Sequence, residues 1–449
     1  MKVLVCGATG CVGSAVVNAL RSRGHGVVQG TRRLPDGKFT MHIDYAQPTA
    51  PAEWAERLRA QHIDAVVNCV GILMPSRGQT FERVHTRGPV ELFRGAALAG
   101  LGSVIQVSAL GVSGEPDSLA MPYLHSKWLA DEALRACAVD WAVLRPSLVY
   151  GPGSQSAALF ATLASLPVIG LPGRGLQQVQ PIHVFELAEA IALLIERKGE
   201  LRCVLQMGGP QALSYREMLA RYRSALGLGS ALWVPVPMSV MKLAAGVAEC
   251  LPQQAFCRDT LRLLERGSTP AVNDAPLWLG RALTPLAQGL IVTKPQPLVD
   301  LRVQLSPTMA AILRASLAFM WIYTALVTMV LPEASGVLRL LARCGFEGSA
   351  AWAVMVGSCV LNAALGAAIL WRPSQAVYML QFAAVLGYTA TAAVNMPELT
   401  IDHCGPLVKN APIIALVMLL AMAQPAQAGT RHASVNGSAR PPLRPATPR

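Results

Sequence analysis

A glycine-rich turn within the first twenty residues restricts strongly how this chain can fold. The run Lys2-Val3-Leu4-Val5-Cys6 predicts a buried strand, Gly7, Gly10 and Gly13 follow at three-residue spacing, and an apolar helical pattern comes next. In such a turn the first glycine allows a tight bend, the second lets backbone N–H groups approach a pyrophosphate, and the third lets the helix pack on the strand. The phosphates then lie at the helix N-terminus. The sequence therefore predicts a dinucleotide site, with an ordinary strand–helix turn as the alternative.

Short apolar segments alternate with helical patterns over the first 150 residues. This alternation predicts an α/β fold with a doubly wound parallel sheet of the Rossmann type. The predicted strands are Lys2–Cys6, Gly26–Gly30, Ala65–Val70, Ser103–Ser108 and Trp141–Arg145, and the predicted helices are Ser14–Arg23, Ala52–Gln61, Val90–Ala99 and Leu124–Ala136. Beyond Gly151, segments punctuated by proline and glycine predict a small substrate-covering region.

The last third of the chain has the composition of a membrane protein. Charged residues make up 14% of the whole chain, against about 25% in soluble proteins, and they become sparse after Met309. Four apolar stretches lie there, each close to the roughly 20 residues that span a bilayer as a helix. They are Met309–Leu331, Ala350–Trp371, Ala376–Met396 and Pro406–Ala423. We predict a four-helix transmembrane domain, with a buried soluble helical bundle as the alternative.

Arginines predict the orientation of this membrane domain. Four crossings put both ends on one side, and Arg372 in the second loop and Arg431, Arg440, Arg444 and Arg449 in the tail predict that this side is cytoplasmic. We therefore expect a multi-pass protein of the inner (cytoplasmic) membrane, with its nucleotide-binding half in the cytoplasm. The predicted divisions are a Rossmann domain over 1–250, a cap and linker over 251–306, the transmembrane domain over 307–424 and a disordered basic tail over 425–449.

Charge and cysteine content exclude several functional classes. The net charge is +12, but no basic run is interleaved with aromatic residues, so we predict a bilayer partner and no nucleic acid. The ten cysteines are scattered without metal spacing, which predicts no metal site and a reducing compartment. The first apolar run is the strand before the glycine turn, so no signal peptide is expected. Cys344 and Cys404 fall in loops on the non-cytoplasmic side, and two unpaired thiols are favoured over a disulfide.

The end of the second predicted strand indicates which dinucleotide binds. A site for NAD usually carries an acidic residue there for the ribose 2′-hydroxyl. This chain instead has Arg32 and Arg33, whose guanidinium groups suit a 2′-phosphate. We therefore predict NADP(H) in preference to NAD(H), with a solvated basic loop as the alternative. Asp44 follows the next segment and is a candidate acceptor for the adenine amino group, or a plain turn aspartate.

Tyr123 and Lys127 form the second group of candidate site residues. On a helix, positions i and i+4 share a face, so the phenol and the ammonium can converge. A nearby positive charge is expected to lower the pKa of the tyrosine and make it an acid for a substrate oxygen. Ser108 ends the preceding strand, where its hydroxyl can bond the same oxygen.

Several ordered motifs together resemble a short-chain dehydrogenase/reductase over roughly the first 300 residues. They are the glycine turn, Ser108, Tyr123 with Lys127, the run Leu144-Arg145-Pro146-Ser147-Leu148-Val149-Tyr150-Gly151-Pro152 and the run Pro181-Ile182-His183-Val184. The resemblance is closest to the extended and atypical branch that includes the Rossmann accessory subunit of respiratory complex I. Many members of that branch bind nucleotide without a demonstrated reaction.

The resemblance implies roles for individual residues. Tyr123 would be the general acid/base, Lys127 would hold the nicotinamide ribose and tune Tyr123, and Ser108 would orient the substrate carbonyl. Cofactor contacts are expected from Gly7, Thr9, Gly10, Val12, Gly13, Arg32, Arg33, Asp44, Cys69, Val70, Gly71, Lys127 and Pro146.

This sequence departs from the family pattern at two positions. His85, in Val84-His85-Thr86-Arg87-Gly88, stands where the family usually has an asparagine. Either His85 relays protons or the usual water relay is missing. Glu186 stands where extended members usually carry aspartate.

Residues 308–423 are similar to DoxX-like four-helix membrane domains, most clearly in the run Asp402-His403-Cys404-Gly405-Pro406-Leu407-Val408-Lys409-Asn410. That family is associated with quinone-linked sulfur oxidation. Two hypotheses follow for the whole chain. One is a membrane-anchored NAD(P)H-dependent oxidoreductase acting on a lipophilic carbonyl or quinone-like substrate. The other is a non-catalytic NADPH-binding scaffold or sensor for a membrane-complex partner.

Overall fold

A seven-stranded parallel sheet forms the centre of the N-terminal half. The computed structural model describes residues 1–32, 39–76, 78–197, 200–249, 257–297, 305–333, 336–396 and 408–423. The strands are β1 (Lys2–Cys6), β2 (Gly26–Thr31), β3 (Thr40–His42), β4 (Ala65–Asn68), β5 (Ser103–Val107), β6 (Asp140–Pro146) and β11 (Arg202–Met207), in the spatial order β11-β6-β5-β4-β1-β2-β3. The order reverses between β1 and β4, and ligands of such sheets bind at this switch point.

The central strands are buried on both faces, as expected of a parallel sheet covered by helices. In β1 the side chains of Val3 and Val5 enter one hydrophobic cluster, whereas those of Leu4 and Cys6 enter another. This two-residue alternation puts neighbouring side chains on opposite faces of the sheet. The predicted doubly wound parallel sheet is confirmed.

Helices cover both faces of the sheet. On one side lie α1 (Cys11–Ser22) and α7 (Val184–Glu196), whose apolar residues share the cluster of Val3 and Val5. On the other lie α2 (Pro51–Ala60), α3 (Gly88–Ala99) and α5 (Pro122–Arg135), with the short α4 (Pro116–Leu119) before α5. A π-helical turn, Glu82–Arg87, leads into α3.

A smaller lobe is built from segments after β6. Its strands are β7 (Val149–Tyr150), β8 (Val168–Pro172), β9 (Gln178–Val179), β10 (Ile182–His183), β12 (Leu213–Ser214) and β13 (Leu232–Val236), and its helices are α6 (Gln155–Ser165), α8 (Tyr215–Ala225), α9 (Met238–Ala248), α10 (Arg258–Arg266) and α12 (Leu286–Thr293). The short α11 (Ala275–Leu279) packs instead with α7 in the cluster of Val3 and Val5. The buried guanidinium of Arg223 donates hydrogen bonds to the carbonyls of Ala164, Leu166, Gly229 and Ser230. One side chain therefore joins the end of α6 to the loop before β13.

The C-terminal part consists of apolar helices. Within the described part of the chain, three are long and apolar enough to cross a membrane: α13 (Pro307–Val330), α15 (Gly348–Trp371) and α16 (Gln375–Asn395). Between the first two lies the short α14 (Val337–Arg343), and α17 (Asn410–Met422) follows as a 13-residue apolar helix. A buried cluster joins α13, α15, α16 and α17, and Val168 at the start of β8 packs against it. The four apolar helices agree with the predicted number, although the fourth is shorter than a full span.

Four predictions fall on residues that the structure does not describe. Arg33, Cys404, the run Asp402-His403 and the basic tail over 425–449 lie outside the described residues.

Candidate functional site

The glycine turn has the geometry that a pyrophosphate site requires. Gly7 adopts a left-handed backbone conformation with φ of 73°, which a side chain would strain. A Cβ atom at Gly13 would overlap the carbonyl oxygen of Gly7, so only glycine lets α1 lie this close to the turn. Gly10 is the N-cap of α1, and no side chain caps this N-terminus. The turn therefore fits a dinucleotide pyrophosphate.

A single cavity of about 870 Å³ begins at this turn and reaches the ends of β4, β5 and β6. It brings together eleven of the predicted site residues, namely Thr9, Gly10, Val12, Arg32, Cys69, Val70, Gly71, Ser108, Tyr123, Lys127 and Pro146. Gly7 and Gly13 shape the turn but are not lining residues. The sequence-based site is therefore assembled in one place.

Asp44 is a turn aspartate in this structure. Its Oδ1 atom accepts a hydrogen bond from the backbone N–H of Ala46 at 3.0 Å, and its carbonyl accepts one from Gln47. Asp44 is not among the lining residues of the cavity. Asp44 therefore lies in a turn outside this cavity, and the adenine contact stays a prediction.

Helix α5 presents Tyr123 and Lys127 on one face, as their spacing predicts. The Nζ atom of Lys127 donates hydrogen bonds to the carbonyls of Val70 at 3.3 Å and Val107 at 3.1 Å. Burial lowers the pKa of Lys127 to about 8, opposed by the charge of Asp131. Lys127 thus ties the segment after β4 to the end of β5, directly inside the cavity.

The pKa of Tyr123 is not lowered, contrary to the sequence-based expectation. Burial raises it to about 12, and the charge of Lys127 does not offset this. The rings of Phe81 and His85 pack edge-on against Tyr123, at centroid distances of 5.9 and 5.5 Å. The ammonium of Lys127 is bonded to two carbonyls. Tyr123 is therefore a fully protonated phenol at neutral pH.

Ser108 is bound to a carboxylate that the sequence analysis missed. Its Oγ atom donates a hydrogen bond to Oδ2 of Asp131 at 2.8 Å, and Arg145 donates to the same oxygen at 3.1 Å. Asp131 is completely buried, and its Oδ1 atom has no partner among the described residues. Burial raises the pKa of Asp131, while Arg145 and Ser108 counteract this. Asp131 follows Lys127 by four residues, as Lys127 follows Tyr123, so the same helical spacing could have predicted that Asp131 shares their face.

His85 is a buried, neutral residue that positions the cavity wall. Its Nε2 atom accepts a hydrogen bond from the backbone N–H of Ile72 at 2.9 Å, so the ring proton is on Nδ1, which faces Ser126 Oγ at 3.0 Å. Burial and the charge of Lys127 lower the pKa of His85 to about 2. Both ring nitrogens are engaged, which argues against the proton-relay alternative.

Glu186 has a structural place in this fold. One of its carboxylate oxygens accepts a hydrogen bond from the backbone N–H of Thr284 at 2.7 Å, and Arg281 lies 3.3 Å from the same oxygen. The side chain is almost fully buried at the start of α7. Glutamate at this position thus fastens α7 to the segment before α12.

Comparison with known proteins agrees with this geometry. Residues 3–205 match the NAD dependent epimerase/dehydratase family, and residues 318–418 match the DoxX-like family. The chain carries an SDR-like, NAD-dependent epimerase/dehydratase-type domain followed by a DoxX-like domain. The resemblance found in the sequence is confirmed for both parts.

Individual relatives resemble the epimerase/dehydratase-type domain. NADH dehydrogenase [ubiquinone] 1 alpha subcomplex subunit 9 of Rattus norvegicus is 25% identical over 244 residues, which are 52% of this chain and 63% of the subunit. This chain therefore spans less than two thirds of that relative. Epimerase family protein SDR39U1 of Mus musculus is 27% identical over 272 residues, 55% of this chain and 87% of that protein.

A solved structure shares the fold of the same domain. MoeE5 in complex with UDP-glucose and NAD aligns with a TM-score of 0.50 at 23% identity, covering 65% of this chain and 97% of that one. A likeness at this level concerns the fold alone.

Proposed function

We propose that the protein is a membrane-anchored NAD(P)H-dependent reductase of the short-chain class, acting on a lipophilic carbonyl compound. One observation carries the proposal. The glycine turn, Arg32, Tyr123 and Lys127 line the same cavity, and the other described lining residues are uncharged, many of them apolar. A dinucleotide and a lipophilic carbonyl can therefore meet beside a protonated phenol.

The protonation state of Tyr123 favours reduction over oxidation. NAD(P)H, when bound, supplies a hydride to the carbonyl carbon. Tyr123 then gives its phenolic proton to the carbonyl oxygen, so the carbonyl becomes an alcohol and the phenol becomes a phenolate that is reprotonated from solvent. A group with a pKa near 12 is an acid that starts protonated at neutral pH, whereas oxidation of an alcohol would require the phenolate first.

Lys127 and the backbone around it position the reactants. Two of the three protons on its Nζ atom are donated to carbonyls, so one remains for a ribose hydroxyl of the cofactor. His85 and Ile72 hold the neighbouring segment against Lys127. Ser108 is committed to Asp131 in this structure, and its hydroxyl oxygen can still accept a bond but has no second proton to donate. Its predicted role in orienting the carbonyl is therefore weaker than that of Tyr123.

We infer a preference for NADP(H) from Arg32. Its side chain lines the cavity at the end of β2, where an acidic residue would favour NAD(H). A guanidinium there forms charge-assisted hydrogen bonds with a 2′-phosphate. We further propose the inner membrane as the location, with the reductase domain and the C-terminal tail on the cytoplasmic side, because Arg372 and the four tail arginines outnumber Arg339 and Arg343 in the opposite loop.

The test uses the full chain in lipid nanodiscs. NADPH affinity is measured first, and NADPH oxidation is then followed with long-chain alkanals and a decyl-quinone as probes. Tyr123→Phe is expected to keep NADPH affinity within about twofold and to lower turnover by roughly 100-fold or more. Tyr222→Phe removes a buried phenol outside the cavity and is the matched control.

The same experiment tests a second candidate function, a NADPH-binding scaffold without turnover. The observation that favours it is the engagement of the Lys127 ammonium with the carbonyls of Val70 and Val107. Tight NADPH binding with no oxidation of any probe, unchanged by Tyr123→Phe, would replace the reductase by the scaffold.

A further inference from the structure

The cavity continues beyond the predicted cofactor site into the smaller lobe. Apolar side chains line much of it there, namely Leu159, Phe160 and Leu163 of α6, Met241 of α9 and Leu263 and Leu264 of α10, beside uncharged polar residues that include Ser156 of α6, Tyr215 of α8 and Thr260 of α10. We call this part the apolar chamber. Among the described lining residues of the whole cavity, the charged side chains are Arg32 and Lys127, and both belong to the cofactor end.

This distribution of charge discriminates between classes of substrate. A nucleoside diphosphate brings two or more negative charges, and an anion removed from water needs charged or hydrogen-bonding partners. The apolar chamber offers hydrocarbon and a thioether, and the polar residues beside it that the structure describes carry no charge. MoeE5 shares the fold and holds UDP-glucose, so the fold permits a nucleotide sugar. The lining residues of this chain do not favour one.

Strand β8 connects the cavity to the membrane helices. Val168, Gly170 and Pro172 lie at alternate positions of the strand and therefore share one of its faces. Val168 packs against the buried cluster of α13, α15, α16 and α17, whereas Gly170 and Pro172 line the cavity. One face of a single strand thus runs from the membrane bundle to the cavity.

Helix α9 forms part of the cavity wall in the same lobe, with apolar side chains facing both the cavity and the outside. Met241 lines the cavity, while Val240 and Leu243 are 51% and 69% exposed. The helix follows directly on β13, which pairs with β8 along its whole length. Apolar surface therefore lies both inside and outside this wall, next to the strand that contacts the membrane helices. Exposed apolar surface of this kind suits contact with lipid or with another protein.

We propose that the apolar chamber binds the hydrocarbon chain of the substrate, and that the substrate enters from the bilayer along β8 and α9. The occupant is an uncharged membrane lipid with a reducible carbonyl at one end. This inference rests on the proposed function for the reacting group. The binding of the chain is independent of turnover.

The test is photolabelling of the full chain in phosphatidylcholine nanodiscs with hexadecanol that carries a diazirine in its chain. Peptides of α6 and α10 are expected to be labelled. Leu163→Glu places a carboxylate in the apolar chamber and should reduce this labelling by about tenfold or more, since hydrocarbon bound there would strip water from the carboxylate. Leu277→Glu changes an 82% exposed leucine outside the cavity and should label like the wild type.

A second variant keeps the test decisive if Leu163→Glu does not fold. Leu163→Trp fills the apolar chamber without adding charge and should also reduce labelling, while NADPH binding reports that the domain is folded. Labelling confined to α13–α17 would overturn the proposal, as would protection of the chamber by UDP-glucose. Labelling of the chamber by a diazirine butanol from water, but not by the hexadecanol, would overturn the bilayer source.

The outcomes separate this inference from the proposed function. If the chamber is labelled but the protein does not oxidise NADPH, the lipid-binding site is supported and the reductase function is rejected. Turnover of a short water-soluble alkanal by a protein whose chamber is never labelled keeps the reductase and rejects the site.

Discussion

The Nε2 atom of His85 accepts a 2.9 Å hydrogen bond from the backbone N–H of Ile72. That bond requires an unprotonated Nε2, and burial with the charge of Lys127 holds the pKa of His85 near 2. The ring therefore stays neutral and fixes the backbone that carries Val70 and Gly71 over Lys127. His85, at the position where the family usually has an asparagine, thus holds the backbone segment that lines the predicted cofactor site.

We expect stability to fall in acid because of His85. Its pKa is about 2 in the folded protein and near 6.5 in the unfolded chain, so the unfolded state binds one more proton between these values. Stability is therefore lost as pH falls below 6.5, by up to about 1.4 kcal/mol per pH unit from this group. Thermal unfolding of wild type and His85→Gln between about pH 7 and pH 5 measures the difference. His42→Gln, at an exposed position of β3, should keep the wild-type slope.

We expect Asp131→Asn to destabilise the protein by roughly 3–5 kcal/mol, because it leaves Arg145 without its buried anion. The loss of this carboxylate should also move the pKa of Lys127 further below 8, since Asp131 raises it. Denaturant unfolding measures the first effect. Glu132→Gln breaks an exposed pair with Arg135 on the same helix and should change stability by about 1 kcal/mol or less. Equal effects of the two variants would contradict a special role for Asp131.

We expect Gly13→Ala to abolish dinucleotide binding. The new Cβ atom would overlap the Gly7 carbonyl, and α1 must then move away from the turn that its N-terminus completes. Equilibrium titration with NADPH and with NADH measures the loss. Gly114→Ala is the control, because the nearest atom to its Cβ, Nε1 of Trp128, is 3.6 Å away and its backbone suits alanine. Unchanged affinity in Gly13→Ala would mean that the turn binds no pyrophosphate.

We expect Arg32→Ala to weaken NADPH binding by about 10-fold to 100-fold, the contribution of one or two charge-assisted hydrogen bonds. NADH affinity should change by less than about twofold, because NADH has no 2′-phosphate for the guanidinium to bind. The ratio of the two dissociation constants is the measurement. Arg21→Ala removes an exposed arginine of α1 and should leave the ratio unchanged. An equal loss for both cofactors would reject Arg32 as the selective residue.

The parts of this molecule that follow local rules could be predicted from sequence. The glycine turn and the strands from Lys2, Ala65 and Ser103 depend on short-range patterning, and they begin where expected. Strand β11 was not predicted, since its place at the sheet edge beside β6 is decided by long-range pairing. Helix α17 begins at Asn410, inside the predicted stretch from Pro406.

The electrostatics of the site could not be predicted from spacing alone. The i+4 relation placed Tyr123 and Lys127 on one face of α5 correctly. It could not show that the carbonyls of Val70 and Val107 take the ammonium, because these come from two other strand ends. The same limit applies to Asp131, because its partner Ser108 directly follows β5 and its partner Arg145 lies within β6. A pKa depends on burial that only the assembled fold provides.

The uncharged lining of the apolar chamber has a consequence for how this protein would encounter its substrate. For a lipid that arrives through the membrane, the concentration that determines binding is its amount per unit of bilayer area. Its concentration in water does not matter. Diluting a vesicle with inert lipid would then slow the reaction even when protein and total substrate stay constant. The rate would then depend on the surface density of the substrate in the bilayer around the protein.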